Sequence, residues 1–174
     1  MNSTTDILLF LAPALLLAAF TLILIRWFLN RELTHQRLSI RMEAQKQVIP
    51  QQLQAYERLT LLLERIAPES LVLREQRNNL TSLQFHSHLL KTIRHEFDHN
   101  LAMQVYINNS TWTLIIKARE ELLKLINTSA STTKPDTPSI LLGKKIIEEA
   151  GAEANYHIKK ALETLKNDIQ RLYL

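Results

Sequence analysis

Residues 7–25 read Ile-Leu-Leu-Phe-Leu-Ala-Pro-Ala-Leu-Leu-Leu-Ala-Ala-Phe-Thr-Leu-Ile-Leu-Ile, an uncharged run closed by Asp6 before it and Arg26 after it. Nineteen residues rising about 1.5 Å each match the roughly 30 Å hydrocarbon core of a bilayer, so the run is expected to be one transmembrane helix. A cleaved signal peptide fits poorly. No Lys or Arg precedes the run, and Arg26-Trp27-Phe28-Leu29 behind it is a basic and aromatic anchor rather than a cleavage site. Pro13 lies near the end of the run, where it frees few backbone groups.

The flanks set an expected orientation. Arg26, Arg31, Arg37 and Arg41 all follow the run, so the N-terminus should face outward and the remainder the cytoplasm of a bacterial inner membrane. Arg26, Trp27 and Arg31 then form the membrane anchor, each basic residue gaining about 1 kcal/mol from anionic lipid. The lipid bilayer is the first expected partner. The absence of cysteine agrees with a reducing compartment.

Only two glycines, Gly143 and Gly151, occur in the chain. Sheets need tight turns and tight turns favour glycine, so the remainder should be helical, with Pro, Asn, Ser and Thr as breakers. The expected fold class is all-α: a single N-terminal transmembrane helix followed by an antiparallel helical bundle. Its expected parts are an anchor over 1–28, a juxtamembrane helix over 29–49, a helical domain over 50–126, a flexible linker over 127–138 and a C-terminal amphipathic helix over 139–174.

Within the helical domain, Pro50 suits the first position of a helix whose Tyr56, Leu59, Leu62, Leu63 and Ile66 recur at helical spacing until Pro68 ends it. Residues 69–79 read as irregular. A third helix from about Leu80 to Ile107 carries the stripe Leu83, Leu90, Ile93, Phe97, Leu101 and Val105. The cluster Asn108-Asn109-Ser110-Thr111 should break it, with Asn108 or Ser110 as cap, before a helix bearing Trp112, Ile115, Ile116, Leu123 and Ile126. One long helix through the cluster is the alternative. After the polar stretch 127–138, Ser139 should cap a last helix with Ile147, Gly151, Ala154, Ile158, Ala161, Leu165 and Leu172 along one seam. That seam suits packing within the bundle or a homo-oligomer of copies.

The one stretch with a catalytic pattern is His95-Glu96-Phe97-Asp98-His99. Histidines four apart on a helix share a face and can bind one zinc, with Glu96 activating the bound water and Glu120 or Glu121 as third ligand. This membrane-anchored zinc metallohydrolase is the alternative reading, because His95 and His99 fall opposite the expected core stripe and no strand offers a substrate-binding edge. A noncatalytic metal site on His88, His95 and His99 is a further alternative, and the same histidines, with Thr92 and Tyr106, line up as a polar row that a partner can contact, tunable by protonation. His86 falls beside the stripe and reads as a hydrogen-bonded core residue.

The segment Arg94-x-Glu96-Phe97-x-His99-Asn100, with Gln104, Tyr106 and Trp112, resembles an uncharacterised family of short bacterial proteins with one N-terminal span and a helical cytoplasmic domain. Leu53-Gln54-Ala55-Tyr56-Glu57-Arg58 and Leu63-Glu64-Arg65-Ile66-Ala67-Pro68 are similar to it too. The resemblance covers roughly residues 45–126, centres on Glu96, His99 and Asn100, and does not require histidine at position 95. It implies a structural or partner-binding polar cluster rather than zinc hydrolysis, and supplies no reaction.

Net charge is +4, concentrated beside the apolar run. Distal basic residues are interleaved with Glu120, Glu121, Glu148, Glu149 and Glu163, which is ordinary helix-surface pairing rather than a nucleic-acid surface. The expected function is therefore a membrane-tethered helical scaffold or partner-binding protein, an accessory subunit among other membrane or cytoplasmic proteins, with no cofactor.

Overall fold

The computed structural model describes residues 3–150 and 153–173; the side chains of residues 3–12, 14–15, 29–41, 44–45 and 173 lie outside that description. Six α-helices and one 3-10 helix follow in order among the described residues: α1 (Ser3–Ile66), α2 (Pro68–Glu75), α3 (Ser82–Asn100), the 3-10 helix (Leu101–Tyr106), α4 (Asn109–Ser131), α5 (Ser139–Glu149) and α6 (Ala154–Tyr173). The all-α reading holds. Among the described residues no helix is long and apolar enough to cross a membrane. Part of the run 7–25, and Arg31, expected to be an anchor residue, fall on side chains outside the description.

The chain divides into two compact units at Ile49/Pro50. The first is helical throughout its described backbone. No new helix starts at Pro50, since α1 runs unbroken across the boundary. The residues before it, Met42-Glu43-Ala44-Gln45-Lys46-Gln47, are strong helix formers that carry the helix up to the proline. Pro50 lacks the N–H that would bond the carbonyl of Lys46, so the helix crosses the boundary one rung short.

In the second unit, the part of α1 after Pro50 lies antiparallel to α3: Gln52 Nε2 donates to the Tyr106 carbonyl at 3.0 Å at one end, and Arg65 reaches Glu96 toward the other. The most extensive helix pairing among those described joins α4 and α6. These too are antiparallel, because Asp168 near the end of α6 receives hydrogen bonds from Asn108 and Thr111 at the start of α4. A carboxylate there also faces the positive end of the α4 dipole, where Asn108 makes no side-chain cap hydrogen bond. Short helices α2 and α5 close the end away from Pro50, packed on each other and on α3. Tyr56, Leu59, Leu63 and Ile66 of α1 meet Phe85, Leu89, Ile93 and Phe97 of α3, Ile115, Leu122 and Ile126 of α4, and Ile158, Ala161 and Leu165 of α6 in one core.

Several sequence expectations need correction. The buried face of α3 is Phe85, Leu89, Ile93 and Phe97; Leu83, Leu101 and Val105 are exposed, Val105 at 79%. The helix stops at Asn100, whose side-chain amide donates to the Glu96 carbonyl, so Leu101 and Val105 lie on the following 3-10 helix. Residues 69–79 are mostly helix: Pro68 starts α2 as well as ending α1, being suited to a first helical position.

The stretch 127–138 is ordered. Ser129 is fully buried within α4, and its hydroxyl donates to Glu149. Ser82 N–H donates to the Thr137 carbonyl at 2.7 Å and Leu83 N–H to the Pro135 carbonyl at 3.1 Å. Thr81 Oγ1 accepts from Gln84 N–H in a capping box, so these three bonds satisfy the first-turn donors of α3. The last helix is in fact two. Pro138 rather than Ser139 occupies the cap of α5, while Ser139 Oγ donates to the Arg77 carbonyl at 2.8 Å. On α6 Ala154, Ile158, Ala161 and Leu165 are buried and Leu172 is half exposed; Gly151 lies outside the described residues.

Gly143 marks the close approach of α5 to α2. A Cβ there would lie 2.8 Å from Gln76 Oε1 and 3.0 Å from Val72 Cγ1. Gln76 cannot yield freely, since its amide donates to Ser139 Oγ at 2.9 Å. Gly143→Ala should therefore lose stability despite a helix-propensity gain of about 1 kcal/mol, because overpacking costs roughly 1–3 kcal/mol. Urea unfolding should show a net loss near 1 kcal/mol and a larger one for Gly143→Val; an unchanged or raised midpoint for Gly143→Ala refutes the tight approach.

Candidate functional site

The outward side of α3 carries His88, His95, Glu96 and His99. Glu96 is the best anchored. Arg65 at the end of α1 donates from Nε to Glu96 Oε1 at 2.8 Å and from Nη2 to the same oxygen, so one carboxylate ties α1 to α3. The hydrogen bond and charge of Glu96 raise the pKa of Arg65 above its ordinary value. Arg74 of α2 donates from Nη1 to the Arg65 carbonyl at 2.9 Å, satisfying an orphan carbonyl at the end of α1.

Arg74 Nε also donates to Glu75 Oε1 at 3.0 Å, while the other oxygen of Glu75 lies 2.7 Å from His88 Nε2. Glu75 thus links α2 to α3. Burial pushes the Glu75 carboxyl up, but hydrogen bonds from His88 and Arg74 and their charges together outweigh it and hold the group below its ordinary value.

That depression has a signed consequence. A carboxyl whose folded pKa lies below its unfolded value, about 4.3, stabilises the fold fully above that unfolded value and loses the contribution as pH falls through the folded one. At pH 7 Glu75→Gln should cost about 1–3 kcal/mol, the worth of hydrogen bonds to a charged group. The gap between wild type and variant in urea unfolding should close below about pH 4. A gap that widens on acidification would contradict the bonding described.

Two members of the expected polar row are occupied within the fold: His88 by Glu75, and Tyr106, whose hydroxyl donates to Gln51 Oε1 at 3.0 Å. His95 and His99 are exposed, their rings stacked with centroids 5.8 Å apart and planes 21° from parallel. His86 is half-buried with Nε2 at 2.8 Å from Asn127 Oδ1, as a bonded histidine near the core should be.

The hydrolase reading finds no assembled centre. Among the described residues no three His, Cys, Asp or Glu side chains come close enough to hold a metal ion. Glu120 is exposed on α4, with Arg119 Nη2 3.9 Å away. Glu96, the would-be base, is engaged by Arg65. Of the residues expected to form an anchor, Arg26 and Trp27 are exposed.

Beneath this face Arg119 joins two of the stripe residues, an addition that periodicity does not suggest. Phe97 is buried, its ring 5.3 Å from that of Trp112, and the Arg119 guanidinium sits 4.2 Å from its centroid. Arg119 Nε is buried with no hydrogen-bond acceptor, so the Phe97 π face is its main compensation. The Arg65–Glu96 and Glu75–His88 pairs also join residues far apart in the chain and leave no local pattern. The α3 capping box did have a local sign, Thr81-Ser82-Leu83-Gln84.

The family model that matches is a family of unknown function (DUF7935), over residues 2–172. The chain belongs to that family. No curated protein and no solved structure matches it.

Proposed function

We propose that this chain is a membrane-tethered helical scaffold, whose bundle is held at the cytoplasmic face of a bacterial inner membrane to bind partners as an accessory subunit. The observation that carries the tether is the surface of α1 between Leu16 and Phe28. Every side chain there is exposed and nearly all are apolar, including Leu16 at 72%, Ile23 at 65% and Phe28 at 62%. A helix apolar on all sides needs lipid or protein around it. Thr21, the one polar side chain in the run 7–25, donates its hydroxyl to the Leu17 carbonyl at 2.6 Å, so it leaves no donor for water. Arg26 and Trp27 suit the interface that follows.

The partner-binding half of the reading is supported by the outward face of α3, where the fold itself occupies His88 and leaves His95 and His99 projecting. A reporter fused to the C-terminus should be active only on the cytosolic side, and cross-linking in intact cells through a photoreactive residue at position 95 should trap a defined neighbour. Periplasmic reporter activity would defeat the orientation. Cross-links no more abundant than those from a buried position such as 122 would defeat the contact face.

A further inference from the structure

We propose that His95 and His99 form an open, two-point chelate for a divalent transition-metal ion of the Ni2+, Cu2+ and Zn2+ class. The inference concerns the same helix face as the proposed partner contact but requires neither a partner nor a membrane. Residues four apart on a helix hold their Cβ atoms about 5–6 Å apart on one side, so two imidazoles can reach a single ion with metal–nitrogen bonds of about 2.0–2.1 Å. Both rings are exposed and already lie side by side, 5.8 Å between centroids and 21° from parallel. Neither ring has a hydrogen-bond partner among the described residues, in contrast to His86 with Asn127 and His88 with Glu75. Ordinary rotation of two surface side chains is all that chelation asks.

The surroundings select the kind of ion. Lys91 and Arg94 are exposed nearby, Asp98 is an exposed acid, and the charge of Glu96 is matched by Arg65. With no excess of carboxylates, the site has little to offer Mg2+ or Ca2+, which take oxygen ligands, and recognition falls to imidazole nitrogen. Two protein ligands leave the remaining positions to water or to a donor from another molecule. Arg65 holds Glu96, the residue that a hydrolase of this pattern would use as base.

The test is calorimetric titration of the untagged full-length chain in detergent with NiCl2, and separately with MgCl2. One Ni2+ per chain is expected, with no heat from Mg2+. His95→Ala and His99→Ala should each weaken Ni2+ binding at least about tenfold, while His35→Ala and His157→Ala leave it unchanged. The metal-free unfolding midpoints of the two exposed-site variants should match wild type, which separates lost coordination from lost folding. Ni2+ affinity that survives replacement of both residues, or Mg2+ binding of similar strength, overturns the assignment.

Discussion

Replacing Phe97 by alanine should lower the unfolding free energy by roughly 3–5 kcal/mol, the usual cost of truncating a buried phenylalanine. The upper part of that range is expected here because the ring has two further duties. It stacks beside Trp112, and it is the surface on which the Arg119 guanidinium rests at 4.2 Å. Without it the buried Nε of Arg119, which has no acceptor, loses the π face beside it, a separate penalty on top of the cavity. Phe97→Leu should recover much of the volume but not the π face. The double variant with Arg119→Met should then be less destabilised than the sum of the single changes, the signature of a coupled pair. Additive losses in urea unfolding would show that Arg119 does not depend on the ring.

The second large effect concerns the apolar surface of α1. Leu17 and Ile23 are exposed at 66% and 65%. Arginine at the centre of a membrane helix costs about 2.5–3.5 kcal/mol on insertion scales, so Leu17→Arg with Ile23→Arg should oppose insertion by roughly 5–7 kcal/mol. After alkaline carbonate washing the wild-type chain should stay in the membrane pellet and the double arginine variant should appear in the supernatant. A matched Leu17→Ala, Ile23→Ala variant should stay with the pellet. Release of the wild type would remove the tether from the proposal altogether.

How much of this could be read in the sequence depends on the range of the interaction. The scarcity of glycine was enough for the all-α class, and the spacing of Tyr56, Leu59, Leu63 and Ile66 located a buried face that the structure retains. The α3 face went astray for a traceable reason. A stripe continued through Leu101 and Val105 runs past the point where Asn100 turns back on Glu96 and the helix ends, and those two residues turn the expected face away from Phe85 and Leu89. Composition misled at 127–138, where a polar stretch with little to bury is held by hydroxyls and carbonyls bonded to the first turn of α3. Burial patterns do not record that kind of order.

At the candidate site the histidines were visible by their spacing, but their different fates were not. His88 is withdrawn by Glu75, thirteen positions earlier, and Glu96 by Arg65, thirty-one positions earlier. Such pairs depend on which helices become neighbours, a property of the assembled bundle rather than of any window of residues.

Pro50 carries a practical consequence. Its nitrogen has no hydrogen to give, so a polypeptide made to start there sacrifices no amide bond from that residue and opens its first turn on a side chain suited to that position. Residues 50–174 are therefore a rational boundary for a recombinant fragment, whose melting can be compared with that of the whole chain by calorimetry.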